Sequence, residues 1–246
     1  MFGSINKRMA MWGLVFLTPA LIVGGGYVLT SLDAPVNLLT VAADQDAVTV
    51  LDFTQPFPPG SPPSGWRHRK FWFTPMMDVG FVQHQGETAL RCETRGSGSI
   101  LGRHTSIDIG RLPRLEWRWF VEVPIGSERD ESTPEGDDHA VRLFLEFRDT
   151  ANGRHAAEII WANRRFRRGD TKYIGSFPHY VADSSAVSGT ANVGSWRDQS
   201  VDLLVIYRQY TGRTDVPRLS FIGVFCDSDN TGGHSVAYTS NVRLRR

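Results

Sequence analysis

The run 115–123, LEWRWFVEV, places Leu115, Trp117, Trp119, Val121 and Val123 on one face of an extended chain and Glu116, Arg118 and Glu122 on the other. Side chains alternate across a strand, so period two with one polar face marks a strand packed on one side. The run 140–147, AVRLFLEF, repeats the pattern, with Val141, Leu143, Leu145 and Phe147 set against Arg142 and Glu146. Shorter β-type runs fall at 48–53, 71–73, 88–94, 99–104, 156–163, 218–225 and 235–244, separated by Gly, Pro, Asp and Ser. One segment, 198–212, has helical spacing at Val201, Leu204, Val205 and Arg208, and Gly212 suits its C-cap. Together these predict a mainly β fold, a jelly-roll-like antiparallel β-sandwich, as one domain over residues 48–246.

The N-terminus obeys a different rule. Lys7 and Arg8 precede 24 uncharged residues, Met9 to Leu32, which Asp33 ends. As a helix these span about 36 Å, enough for a hydrocarbon core of about 30 Å. Basic residues before the span put the N-terminus in the cytoplasm and everything from Asp33 outward on the other side. Pro19 predicts a kink, and Gly13, Gly24, Gly25 and Gly26 offer a neighbouring helix close approach. A cleaved signal peptide is the competing reading, with Val41-Ala42-Ala43 resembling a cleavage site far beyond the apolar run. The expected organisation is therefore an anchor over 1–32, a tether over 33–47 with Leu38, Leu39 and Val41 at the interface, and the sandwich.

Candidate chemistry is sparse. A formal charge of +1 argues against nucleic-acid binding. No G-x-S-x-G, H-E-x-x-H or phosphate loop occurs. The run Asp227-Ser228-Asp229-Asn230-Thr231-Gly232 resembles the opening of a calcium loop, but its twelfth position is Tyr238 where a bidentate Glu is needed, so the EF-hand reading fails. A non-EF Ca²⁺ site joining Asp227 and Asp229 to Asp137 and Asp138 is one expectation, and plain turns are the other. His139 and His234 follow these two acidic runs, which are expected to lie apart in solvent. Arg164–Arg168 is a basic cluster that is either a plain solvated loop or a partner for lipid headgroups, an acidic protein, or the chain's own acidic stretch 128–138. Cys92 and Cys226 lie in strand-like runs, as a disulfide or as two buried thiols. Trp117 and Trp119 alternate into the core, whereas Trp66 and Trp72, flanking Arg67-His68-Arg69-Lys70, are expected on the surface, where Trp66, Arg67 and Trp72 are ligand-binding candidates.

Several runs together resemble a bacterial family of uncharacterised secreted or membrane-anchored domains. They are Gly65-Trp66, Leu115-Glu116-Trp117-Arg118-Trp119, Gly136-Asp137-Asp138 before Ala140-Val141-Arg142, Ile160-Trp161-Ala162, and Asp227 to Gly232, in order over about residues 48–244. His139 departs from that pattern, where an apolar or aromatic residue is expected. The resemblance implies a sandwich similar to carbohydrate-binding modules and brings no catalytic residue. The leading functional expectation is a non-catalytic, single-pass accessory or scaffold subunit of a larger assembly. It would sit in a bacterial inner membrane, contacting membrane proteins and lipid, with the sandwich on the periplasmic face. The alternatives are a membrane-held carbohydrate-binding module and a metal-dependent hydrolase on the four aspartates.

Overall fold

The computed structural model describes residues 37–185 and 192–246, without the side chain of residue 241. The two alternating runs form β6 (Arg114–Val123) and β7 (Arg142–Arg148). Around them lie β1 (Ala47–Leu51), β2 (Trp66–Lys70), β3 (Asp78–His84), β4 (Glu87–Arg95), β5 (Gly98–Asp108), β8 (Arg154–Ala162), β9 (Thr171–Ile174), β10 (Phe177–Ser184), β11 (Arg197–Asp202), β12 (Arg218–Asp227) and β13 (His234–Arg245). One sheet has the order β11-β6-β13-β4-β3, with β1 also on β13, and the other runs β2-β5-β12-β7-β8-β10-β9. Among these strands every pairing is antiparallel except β8–β10, which is parallel.

The inner faces make the core. Leu115, Trp117, Trp119 and Val121 of β6 cluster with Leu143, Leu145 and Phe147 of β7, Ile159 and Trp161 of β8, and Ile222 and Val224 of β12. Trp119 and Trp161, one from each sheet, meet edge to face with ring centroids 6.1 Å apart. Cys92 of β4 and Cys226 of β12 form a disulfide that ties the two sheets together. A bulge between Leu219 and Phe221 in β12 reverses the alternation, so Leu219 joins the core while Phe221 joins a separate cluster with Ile100, Phe144 and Phe225.

Several expectations are corrected. The segment 198–212 is helical only in its second half. Arg197–Asp202 is a strand paired with β6, Val201 opposite Leu115, and the helix α1 (Leu203–Thr211) begins where the Asp202 carboxylate accepts the Val205 N–H at 3.0 Å. Backbone pairing with an open sheet edge overrides the local spacing there. The run 71–73 is a loop, and the strand lies just before it at Trp66–Lys70, whose charge hid it. β3, β9, β10 and β11 were not anticipated as strands. Residues 37–41 do not behave as a tether: Leu39 bridges Thr105, its N–H donates to the His104 carbonyl at 3.2 Å, and Leu39 and Val41 pack on the core. Among the described residues no helix is long and apolar enough to cross a membrane. The span 9–32, with Gly13, Pro19, Gly24, Gly25 and Gly26, lies outside them.

Candidate functional site

The acidic loops expected to lie apart come together at one end of the sandwich. Asp138, Asp227 and Asp229 each place a carboxylate oxygen within 4.8 Å of the others. Asp138 accepts the backbone N–H groups of Asn230 (3.2 Å) and Thr231 (2.6 Å), which clasps one loop to the other. Asp227 accepts the His139 backbone N–H at 3.0 Å and also the Arg142 guanidinium. Burial raises the pKa of both Asp227 and Asp229, with the Asp138 charge adding to it; at Asp227 the Arg142 guanidinium opposes the rise. Calcium asks for six to eight oxygen ligands. Here both oxygens of Asp138 and of Asp227 already accept N–H groups, and Arg142 stands where a cation would neutralise the cluster. In this structure the three carboxylates act as a clasp between loops.

Asp137 belongs to a different group, so the four aspartates do not converge. It receives Lys172 Nζ and lies 3.5 Å from His139 Nε2, 3.7 Å from His179 Nε2 and 3.8 Å from Arg142 Nη1. This group lies on the face of the seven-stranded sheet that turns away from the core. On β7, Arg142, Phe144 and Glu146 point oppositely to Leu143, Leu145 and Phe147. Cross-strand pairing then aligns Gly102, Gly223, Phe144, Glu158, His179 and Lys172 in one row from β5 to β9. Gly102 has no room for a Cβ, because the Gly223 backbone and the Phe221 ring lie against it. Arg142, Glu146, Glu158, Lys172 and His179 on this polar face are all buried.

Charge pairing makes that burial tolerable. Arg142 bonds Glu158 at 2.7 Å, Asp227, and the Asp137 carbonyl at 2.7 Å, while its guanidinium lies 4.2 Å from the Phe225 ring centroid. Burial alone would raise the Glu158 pKa, but Arg142 and His179 more than offset it and hold it at about 2. Burial and the Lys172 charge lower His139 to about 4. Its Nδ1–H donates to the Trp161 carbonyl at 2.9 Å, which leaves Nε2 to accept from Lys172 at 2.8 Å.

A pH effect follows. Between pH 6.5 and about 4 the unfolded chain protonates this histidine and the folded one does not, so stability falls as pH falls through that window, by on the order of 3 kcal/mol. Asp227 and Asp229, pushed upward, act in the opposite sense. His139→Asn keeps a donor for the Trp161 carbonyl but cannot titrate. Urea midpoints at pH 7, 6, 5 and 4 should therefore fall less steeply for the variant, and parallel slopes would refute this assignment.

At the rim, loop 71–77 carries the most exposed aromatics among the described residues. Trp72 is 78% and Phe73 98% exposed, with ring centroids 6.2 Å apart. Phe73 holds φ +64°, a left-handed conformation unusual for an aromatic residue. Thr74 donates to Asp229 at 3.2 Å, and Phe71 packs on Phe225, so the loop joins the acidic clasp to the buried row. Trp66 is not on the surface: it is 5% exposed against Phe53 and Phe57, because the first residue of β2 points inward. Arg67 is half-buried and donates to the Trp66 carbonyl. His234 bonds Glu93 rather than the acidic clasp. Arg164 and Arg165 pair with Glu128 and Asp130, and buried Glu131 accepts the N–H groups of residues 163–166, so the first half of the basic cluster is met within the chain. Glu158, Lys172 and His179 were missed as site residues. Glu158 was legible as the one acid in the apolar run AAEIIWA, and Lys172 as one of only three lysines.

These features define a two-sheet β-sandwich with an ionic and aromatic row on one outer face and an aromatic rim at its edge. The chain belongs to the DUF3047 family of proteins of unknown function, matched over residues 64–243. No curated protein matches it. Among solved structures it is similar to a carbohydrate-binding module specific for non-crystalline cellulose, CBM28, at 13% identity and TM-score 0.35, covering 74% of this chain and 87% of that one. It is also similar to the xyloglucanase domain of NopAA, a type three effector from Sinorhizobium fredii, in complex with cellobiose. That match has 11% identity and TM-score 0.37, over 73% of this chain and 92% of that one.

Proposed function

We propose that this domain is a non-catalytic glycan-binding module whose contact surface is the rim of Trp72 and Phe73 beside Asp229. The observation that carries the reading is the pair of almost fully exposed rings, one held on left-handed backbone. A left-handed non-glycine residue costs about 1–2 kcal/mol, and strain of this kind concentrates where ligands are held. The flat apolar faces of sugar rings suit such a platform, and adjacent carboxylates accept their hydroxyls. The Cys92–Cys226 disulfide supports an oxidising compartment outside the cytoplasm, the side on which the N-terminal sequence expectation puts the domain. Nothing in the described residues or the comparisons supports the scaffold-subunit reading.

The test is calorimetric titration with a broad panel of neutral, acidic and amino oligosaccharides. At least one should bind, and Trp72→Ala should weaken it about 30-fold, the size of a hot-spot aromatic at about 2 kcal/mol. Phe73→Gly relieves the backbone while deleting the ring, so it should weaken binding without lowering the melting temperature. A panel with no binder, or a Trp72→Ala domain that binds as tightly as the wild type, would overturn the reading.

A further inference from the structure

Within the buried row His179 is the outlier. Its ring is buried, and its Nδ1 has no hydrogen-bond partner among the described residues. Nε2 pairs with Glu158 Oε2 at 3.2 Å and lies 3.7 Å from Asp137 Oδ1. Arg142 Nε, on the same face, also lacks a partner. A buried polar atom left unsatisfied costs about 1–3 kcal/mol, and native proteins keep few of them.

We propose that His179 and Arg142 complete their hydrogen bonds on the hydroxyls of one neutral sugar unit, making the outer face of the seven-stranded sheet a ligand subsite. This rests on the glycan-binding reading and extends it from the rim to a second, specificity-setting position. Charge decides the class of sugar. The row's charges already answer one another: Arg142 pairs with Glu158 and Asp227, and Lys172 pairs with Asp137. A uronate would bring an anion with no free cation to meet it, and an amino sugar a cation with no free anion. A hydroxyl brings neither and can both donate and accept.

The apolar share of the subsite is also present. The Phe177 ring centroid is 5.3 Å from that of His179, and Phe144 lies parallel to Phe177 at 6.4 Å. Aromatic walls with a few placed polar groups are the usual make-up of a small-ligand site. Arg69, 3.6 Å above the Phe221 ring, and Phe71, against Phe225, lie over the adjoining aromatic cluster. Because Phe71 is chain-adjacent to Trp72, a glycan held at the rim is led toward this face, and Arg69 and Phe71 must move aside for it.

The experiment follows the His179 ring nitrogens by NMR in the ¹⁵N-histidine-labelled full chain. Neutral tetrasaccharides of glucose, mannose and xylose are titrated in parallel with tetragalacturonate and a glucosamine tetramer. A neutral tetramer should shift both His179 nitrogens and bind at least tenfold more tightly than either charged one. His179→Ala should weaken it at least tenfold. Should His179→Ala fail to fold, the shifts in the wild-type chain decide alone. A neutral tetramer that binds through Trp72 yet leaves the His179 signals unmoved overturns the subsite and spares the rim. Tighter binding of a charged tetramer also overturns it. No binding by any glycan removes both readings.

Discussion

Arg142→Met is expected to destabilise the domain by about 3–5 kcal/mol, the usual cost of removing one partner from a buried ion pair. The guanidinium is buried and answers three carboxylates: Glu158 at 2.7 Å, Asp227 in direct contact, and Asp137 at 3.8 Å. Methionine fills most of the volume and keeps the contact with Phe225, so the loss is electrostatic rather than a cavity. At roughly 2–4 °C per kcal/mol for a domain of this size, the melting temperature should fall by about 10–15 °C. Neutralising the orphaned acids separates the two causes. The triple variant Arg142→Met, Glu158→Gln, Asp227→Asn should recover more than half of the loss, because the penalty lies in unpaired buried charge rather than in lost attraction. A single variant within about 3 °C of the wild type would show that these carboxylates do not rely on Arg142.

The same residue shows what a sequence can and cannot disclose. The alternation around Arg142 was plain, and it fixed β7, its register and its inner face. The alternation in β6 likewise put Trp117 and Trp119 in the core. A polar face in such a strand ordinarily means solvent, and here it does not, because the partners that make burial tolerable come from β8, β9, β10 and the end of β12 and from the loop before β7. Convergence of Asp137, Glu158, Lys172 and His179 depends on the β12-β7-β8-β10-β9 order, and no local pattern encodes that order. Long-range pairing also decided the segment 198–212, where an available edge on β6 drew the first half of a helix-like pattern into a strand. Trp66 and Trp72 were indistinguishable by type and neighbours; a single position in β2 buries one, and the loop that follows exposes the other. The acids of 137–138 and 227–229 were legible as candidates, but their division into a loop clasp and an ionic row was not.

Removing the disulfide is the second large effect. Cys92 and Cys226 lie 134 residues apart in sequence, and closing so long a loop in the unfolded chain is worth about 5 kcal/mol on the chain-entropy account. Cys92→Ala with Cys226→Ala should therefore lower the urea-unfolding free energy by about 4–5 kcal/mol, against a total of roughly 5–15 kcal/mol for a domain. Reduction of the wild-type chain should reach nearly the same midpoint, since the alanines replace two small buried side chains. The disulfide also sits beside Asp227, the acid that Arg142 holds, which raises the question of whether it supports the ionic row directly. If its effect works through the unfolded chain, it adds to that of Arg142→Met within about 0.5 kcal/mol, as independent sites do. Because the two losses together would leave little or no folded protein, the comparison should be made in a stabilising osmolyte such as TMAO, which strengthens burial by exclusion from the protein surface. A combined loss well below the sum would mean that the cross-link positions Asp227 against Arg142 in the folded state. A loss below about 1 kcal/mol on reduction alone would mean that the unfolded chain already holds the two sheets' segments close together.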